Sequence, residues 1–289
     1  MSPHTGLELY TRTAHSSSAR VIRSYSTSFG LASMLLPRPV RVGIADVYAL
    51  VRVADEIVDG PAFEAGMGAD ASCAVLDALE RETLAALEHG FSANLVVHAF
   101  ATTARATGID AALVRPFFAS MRMDAGDVRL DADGYQRYIH GSAEVVGSMC
   151  LRVFTLEDPT LLLDAELEDG ARRLGAAFQK VNFLRDLGDD SDRLGRRYFP
   201  GVEPATITEA QKLAVVDDIA ADLAAARIAI RRLPRGARRA TSAAAALFDR
   251  LNAQLRATPA AELRGRRISV PPAVKLRLFA GAAMGRSGR

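Results

Sequence analysis

Tryptophan is absent from this 289-residue chain, cysteine occurs twice, and aromatic residues make up 6% of it. With a formal net charge of only +2, there is no basic field to draw a polyanion and few rings to stack on bases. Nucleic acid is therefore excluded as a main partner. Cys73 and Cys150 lack CxxC spacing, and two cysteines cannot staple a chain of this size. Both read as small core residues of a reduced, cytoplasmic protein. Long apolar runs are missing too. Stretches such as LASMLL (31–36) fall far short of the roughly 18–20 residues that span a bilayer, and no apolar stretch ahead of a cleavage site marks a signal peptide. His4, His15, His89 and His98 show no H-E-x-x-H spacing, which argues against zinc. AGMGAD (65–70) lacks the third glycine and the strand–turn–helix setting of a nucleotide loop.

What is present is a large apolar fraction, 49%, beside 24% charged residues, enough for a core and too patterned for disorder. Apolar residues recur at i, i+3, i+4 over 17–36, 41–59, 70–89, 93–107, 110–124, 133–154, 160–190, 207–233, 236–257 and 271–284. Glycine and proline fall between these segments, and alanine is frequent within them. Pro39 suits the first turn of its helix, and Asp133 and Thr206 suit N-caps. No linker separates two units. The expectation is one all-α domain over 1–289, with residues 1–15 a loose N-terminal segment.

Two acid pairs carry the chemistry: Asp55 with Asp59 in ADEIVDG, and Asp186 with Asp190 in NFLRDLGDDSD. Spacing of i, i+4 on a helix puts both carboxylates on one face, where they repel unless a cation sits against them. Carboxylate oxygens suit the hard ion Mg²⁺, with Mn²⁺ as a substitute, and Mg²⁺ commonly completes its shell with substrate phosphates. The pairs lie in opposite halves of the chain, so one core would let them face each other across a cavity with an apolar floor. A diphosphate head and a hydrocarbon tail would fit such a site.

Polar neighbours precede both pairs, and Tyr48, Arg52, Gln179 and Asn182 share the acid faces. Tyr48 and Arg52 precede Asp55 by seven and three positions; Gln179, Asn182 and Arg185 precede Asp186 by seven, four and one. Arg52 could hold a phosphate oxygen, or could pair within its helix with Asp55 or Glu56. Two amides in an otherwise apolar stretch call for a polar ligand, since an unpartnered buried amide is costly.

SYSTSFGLASMLLP (24–37), YALVRVADEIVD (48–59), FQKVNFLRDLGDD (178–190) and GRRYFP (195–200) together resemble the squalene/phytoene synthase family over roughly residues 16–285. The D-x-x-x-D pairs inside Y-x-x-x-R-x-x-D and Q-x-x-N-x-x-R-D contexts make that resemblance specific. It implies an isoprenoid-synthase helical bundle around a central cavity. It also implies Mg²⁺-dependent head-to-head coupling of two prenyl diphosphates through a cyclopropylcarbinyl diphosphate. By matched position, Asp55, Asp59, Asp186 and Asp190 would bind the metal. Ser26, Ser28, Tyr48, Arg52, Gln179, Asn182, Arg185, Arg196, Tyr198 and Arg267 would hold the diphosphates or their metal shell. Tyr138 matches a catalytic-cavity tyrosine, and Gly141, Ala143 and Gly147 after it would let prenyl tails lie close to the backbone. Phe29, Tyr138, Phe178 and Phe183 are candidates to face a carbocation.

The chain departs from the family pattern at Gly30, His140 and Phe248, where aromatic or tyrosine side chains are frequent, and none of these is a metal ligand. The resemblance favours the bacterial phytoene-forming members, which join two C20 geranylgeranyl diphosphates. The alternatives are a C15-using squalene or dehydrosqualene synthase and a non-catalytic prenyl-lipid-binding scaffold. RRLPRGARR (231–239) would suit contact with an anionic membrane surface or a solvated face, and DAELED (164–169) reads as solvated surface.

Overall fold

The chain begins its first helix where a capping box permits. In the computed structural model, which describes residues 5–126, 128–188, 191, 195–265 and 268–283, Thr5 and Glu8 bond reciprocally and open α1 (Gly6–Tyr25). The loose N-terminal segment expected over 1–15 is thus corrected from residue 5 onward. Ser26 leaves the helical region and caps the next element, splitting the expected 17–36 helix into α1 and α2 (Thr27–Ser33). α3 (Arg38–Asp59) has a proline in its first turn, as expected, and stops at Gly60. The short α4 (Pro61–Glu64) follows, then α5 (Ala69–His89), α6 (Leu95–Thr107) and α7 (Ala111–Met123).

The expected helix over 133–154 is three pieces. α8 (Ala132–Ile139) is capped by Asp131 rather than Asp133, a π-helical stretch covers His140–Glu144, and α9 (Val145–Phe154) continues from it. α10 (Ala165–Arg185) is capped by Asp164. α11 (Glu209–Ile230) begins at Thr208, whose capping box with Gln211 displaces the expected Thr206 cap. α12 (Arg235–Ala257) and α13 (Pro272–Ala283) complete the order. Among the described residues there is no strand; Arg129 and Arg197 form an isolated bridge.

Two apolar cores hold these helices. One gathers Leu50, Leu76, Phe100, Phe117, Phe118 and Met149 from α3, α5, α6, α7 and α9. The other gathers Leu184, Val216, Leu223, Phe248 and Leu255 from α10, α11 and α12. Each fully buried large side chain contributes about 1.5–3 kcal/mol of transfer free energy. The backbones between the cores approach closely. A Cβ on Gly141 would lie 2.1 Å from the Pro116 carbonyl oxygen, one on Gly147 would lie 2.2 Å from that of Ala171, and one on Gly175 would lie 2.3 Å from that of Ala143. The small residues after Tyr138 therefore serve helix contacts with α7 and α10. Gly147 and Ala143 also line the cavity described below, whereas Gly141 is not among its lining residues and meets α7 instead.

Candidate active site

α3 and α10 line one cavity in the same register. Tyr48 and Val51 of α3 face it, at seven and four positions before Asp55; Gln179 and Asn182 of α10 face it, at seven and four before Asp186. Helical periodicity then sets each leading acid about one turn beyond the lining of its own helix. The cavity has a volume of about 310 Å³ and walls that are almost entirely apolar. From Leu167 to Asn182 the lining follows α10 over fifteen residue-to-residue rises, roughly 22 Å of helix axis at about 1.5 Å each. Ala226 and Ala229 of α11, against which Gly170 of α10 packs, line the cavity together with Ala240 and Ala244 of α12. Phe29 and Phe178 line it as well, with Phe248 stacked on Phe178 at 3.7 Å between ring centres.

Each described acid of the two motifs is met by an arginine. Arg52 donates to Asp55 at 2.7 Å and also pairs with Glu56, while its guanidinium lies over the Tyr25 ring at 4.6 Å. The intrahelical pairing considered for Arg52 is therefore present. Arg196 pairs with Asp59, and Arg185 holds Asp186 by two hydrogen bonds, one of 3.0 Å from Nε. These cations do not fully offset the local negative charge. Burial, then the charge of Asp59, pushes the Asp55 carboxyl up to about 7, against the opposing pull of Arg52. Asp186 ends α10, its amide donating to the Asn182 carbonyl at 2.9 Å. Among the described residues, no three acidic, histidine or cysteine side chains converge on one point. Asp190 and Arg267 lie outside the described residues.

The remaining predicted residues fall near the cavity or behind its wall. Ser26 caps α2 and hydrogen-bonds the Tyr48 hydroxyl, whose pKa burial raises; Ser28 is half-buried in the first turn of the same helix. Tyr138 is 2% exposed and is not part of the cavity lining. Its hydroxyl donates at 2.5 Å to Asp124, as does that of Tyr198 at 2.9 Å. Phe183 stacks on Tyr198 at 3.8 Å, so of the four aromatic candidates two face the cavity and two form a cluster behind it. Burial pushes the Asp124 carboxyl up to about 6, partly countered by Arg196 and the two phenols. The segment bearing Arg196 and Tyr198 is tied to the α7–α8 connection by an amide bond from Arg197 to the Val128 carbonyl, 2.6 Å. Asp124 escaped the sequence reading; a lone acid at the end of the apolar SMRMDAG run was the available signal.

The two charged stretches at the far end meet each other. Arg232 bonds Asp164 at its cap position and Glu166 at 2.9 Å, an exposed pair between the start of α10 and the end of α11. Cys150 lines the cavity, and burial pushes its thiol up to about 12.

A family model described as squalene/phytoene synthase matches residues 22–273. The chain belongs to that family. Relatives within it include the 15-cis-phytoene synthase of a Paracoccus species, 34% identical over 189 residues, and the phytoene synthase of Thermus thermophilus, 35% identical over 195. These matches take in 64% and 63% of this chain but only 59% and 57% of the relatives' own lengths. The Synechococcus elongatus 15-cis-phytoene synthase is 31% identical over 217 residues, 71% of this chain and 68% of that protein. Among solved structures, a dehydrosqualene synthase in complex with ligand superposes with a TM-score of 0.76 at 22% identity, covering 96% of this chain and 98% of that one. The squalene synthase HpnC of Alicyclobacillus acidocaldarius gives 0.73 at 22%, covering 86% and 95%. The family's all-helical fold is thus the fold of this chain. Among the described residues no helix is long and apolar enough to cross a membrane.

Proposed function

We propose that the chain is a phytoene synthase of the cytoplasm, joining two geranylgeranyl diphosphates head to head through prephytoene diphosphate with release of two diphosphates. The observation that carries this is the long apolar cavity, lined in equal register by α3 and α10 up to about one helical turn before Asp55 and Asp186. The donor set suits a hard divalent ion: carboxylate oxygens only, with burial and then the Asp59 charge raising the Asp55 carboxyl to about 7. Asp55, Asp59 and Asp186, with Asp190, are the residues that would hold Mg²⁺, for which Mn²⁺ would substitute. When bound, the metal would neutralise charge on the departing diphosphate.

The chain's own residues then do the rest. Arg52 and Arg185 sit on the acids and would turn their guanidinium forks to diphosphate oxygens, while Arg196, paired with Asp59, would act on the metal shell through that acid. Tyr48, Gln179 and Asn182 supply the polar contacts at the cavity wall, with Ser26 and Ser28 on α2 beside them and Arg267 as a further diphosphate contact. The apolar walls exclude water from an allylic cation and hold the second chain as its only nucleophile. Phe29 and Phe178, which line the cavity, would stabilise that cation. The exposed arginines of 231–239 would take the protein to an anionic membrane surface, where an oily product leaves easily.

The test is direct. Protein given geranylgeranyl diphosphate and Mg²⁺ is expected to release diphosphate and form a C40 hydrocarbon, and EDTA to stop both. Farnesyl diphosphate in a parallel arm decides chain length, a faster C30 product favouring the shorter-chain alternative. Absence of diphosphate release from either substrate overturns the reading.

A further inference from the structure

We propose that Asp124 is a positioning residue of this site, a buried acceptor that fixes the Tyr138 hydroxyl and the Arg196 guanidinium against the first acid motif. The proposal rests on the prenyl-diphosphate reading above. The Asp124 side chain is 3% exposed and lies at the end of α7, away from either D-x-x-x-D motif in sequence. Its two oxygens are divided between two phenols: Oδ2 accepts from Tyr138 at 2.5 Å and Oδ1 from Tyr198 at 2.9 Å. Its backbone carbonyl accepts from Arg196 Nη2 at 2.9 Å. The same Nη2 reaches the Val58 carbonyl at 2.8 Å, and Nη1 pairs with Asp59. Arg196 is therefore clamped between the end of α3 and Asp124, while its Nε, 3.9 Å from Asp124 Oδ1, has no hydrogen-bond partner among the described residues.

This arrangement does more than bury an ion pair. A buried carboxylate facing one arginine could be satisfied by that arginine alone. Here the carboxylate takes two phenol protons instead, and the guanidinium is turned past it onto Asp59. A phenol has a single proton to donate. With that proton committed to Asp124, the Tyr138 oxygen is left able only to accept from any group that approaches it. Asp124 thereby decides both the hydrogen-bonding sense of Tyr138 and the side of Asp59 on which the arginine stands. Tyr198 joins the same acid to the 195–198 segment, so that segment is held to α7 and α8 by side chains as well as by the Arg197–Val128 amide bond.

Asp124→Asn keeps the volume and removes one acceptor oxygen. It is expected to lower kcat with geranylgeranyl diphosphate by about 10–100-fold, as outer-shell substitutions do, with KM moved by less than about threefold. Amides of 195–198 should exchange with solvent about tenfold faster in this variant, through easier local opening. Asp124→Glu should restore part of kcat, and Asp124→Asn combined with Tyr138→Phe should be no slower than the slower single variant, because the acid acts through the phenol. Should Asp124→Asn fail to fold, Tyr198→Phe, which leaves the acid paired, carries the same test with a smaller fall in kcat and faster exchange in 195–198. Wild-type kcat and unchanged exchange in the first variant that folds would overturn the proposal, as would additive loss in the double variant. A wild-type protein inert on both C15 and C20 diphosphates would instead sink the prenyl reading, and the exchange measurement would still decide whether Asp124 holds the segment.

Discussion

At the scale of single residues, the site is a balance of four kinds of group: acids, arginines, phenols and amides. Asp55 shows how that balance stands. Its carboxyl rises to about 7 although Arg52 donates to it at 2.7 Å, because burial and Asp59 outweigh the arginine. Replacing Asp55 or Asp186 by Asn should therefore remove a metal-holding charge with little change in volume. Turnover is expected to fall by orders of magnitude, read as the initial rate of diphosphate release, while the thermal midpoint moves little. Cys150 gives a second residue-scale prediction. Its thiol, held up to about 12 by burial, favours the neutral form, so the thiolate that alkylating agents need is nearly absent at pH 8 and increases only as pH approaches 12. Iodoacetamide at pH 8 should modify Cys73 and spare Cys150, which peptide mass spectrometry would show.

At the scale of elements, close backbone approach sets the register of α8, α9 and α10, and glycine makes it possible. A methyl on Gly141 would sit 2.1 Å from both the Pro116 carbonyl oxygen and Ser120 Oγ, and one on Gly175 would sit 2.3 Å from the Ala143 carbonyl. Backbone atoms cannot move aside as a flexible side chain can. Gly141→Ala and Gly175→Ala are each expected to cost about 1–3 kcal/mol or more of unfolding free energy in urea titrations. Gly30→Ala in α2, where no atom lies within 4 Å of the added carbon, should instead gain about 0.5–1 kcal/mol from helix propensity.

The same scale shows what sequence could reveal. Amphipathic period located α3, α5, α6, α7 and α12 to within a few residues, because each buries one continuous stripe. It missed the break at Ser26 and the π-helical turn at His140–Glu144, since neither interrupts the apolar pattern. The early start of α1 was legible after all, in Thr5 and Glu8 at capping-box spacing, and so was the start of α11, in Thr208 and Gln211. Asp55 and Asp59 were legible because helical spacing is local and α3 runs through both, whereas α10 stops at Arg185, short of the expected 190, and leaves Asp186 at its C-cap. Asp124 was not legible, because its partners at 138, 196 and 198 are brought to it only by packing between distant helices.

At the scale of the whole molecule, the cavity lies between two cores and draws its walls from both, so its length is set by how α10 packs on α9, α11 and α12. The lining near the start of α10 includes small side chains, Ala226 and Ala229, with Gly170 so close to Ala229 that a Cβ there would lie 2.1 Å from the alanine methyl, and α12 adds Ala240 and Ala244 to the lining. Small residues at that end, some 22 Å of helix from Asn182 at about 1.5 Å per residue, leave room for the tip of a long tail. Ala240 is 5% exposed and stands on α12, which carries none of the motif acids or the arginines paired with them. Ala240→Phe should fill the far end and leave the diphosphate end as it is. The expected result is a drop in C40 formation from geranylgeranyl diphosphate with diphosphate release from farnesyl diphosphate retained, so that the ratio of C30 to C40 hydrocarbon, measured by chromatography after mixed incubation, rises at least about tenfold, a difference near 1.4 kcal/mol in transition-state binding. An unchanged ratio in a folded variant would mean that the tails run elsewhere, and that the alanine wall serves only the packing of α10 on α11 and α12.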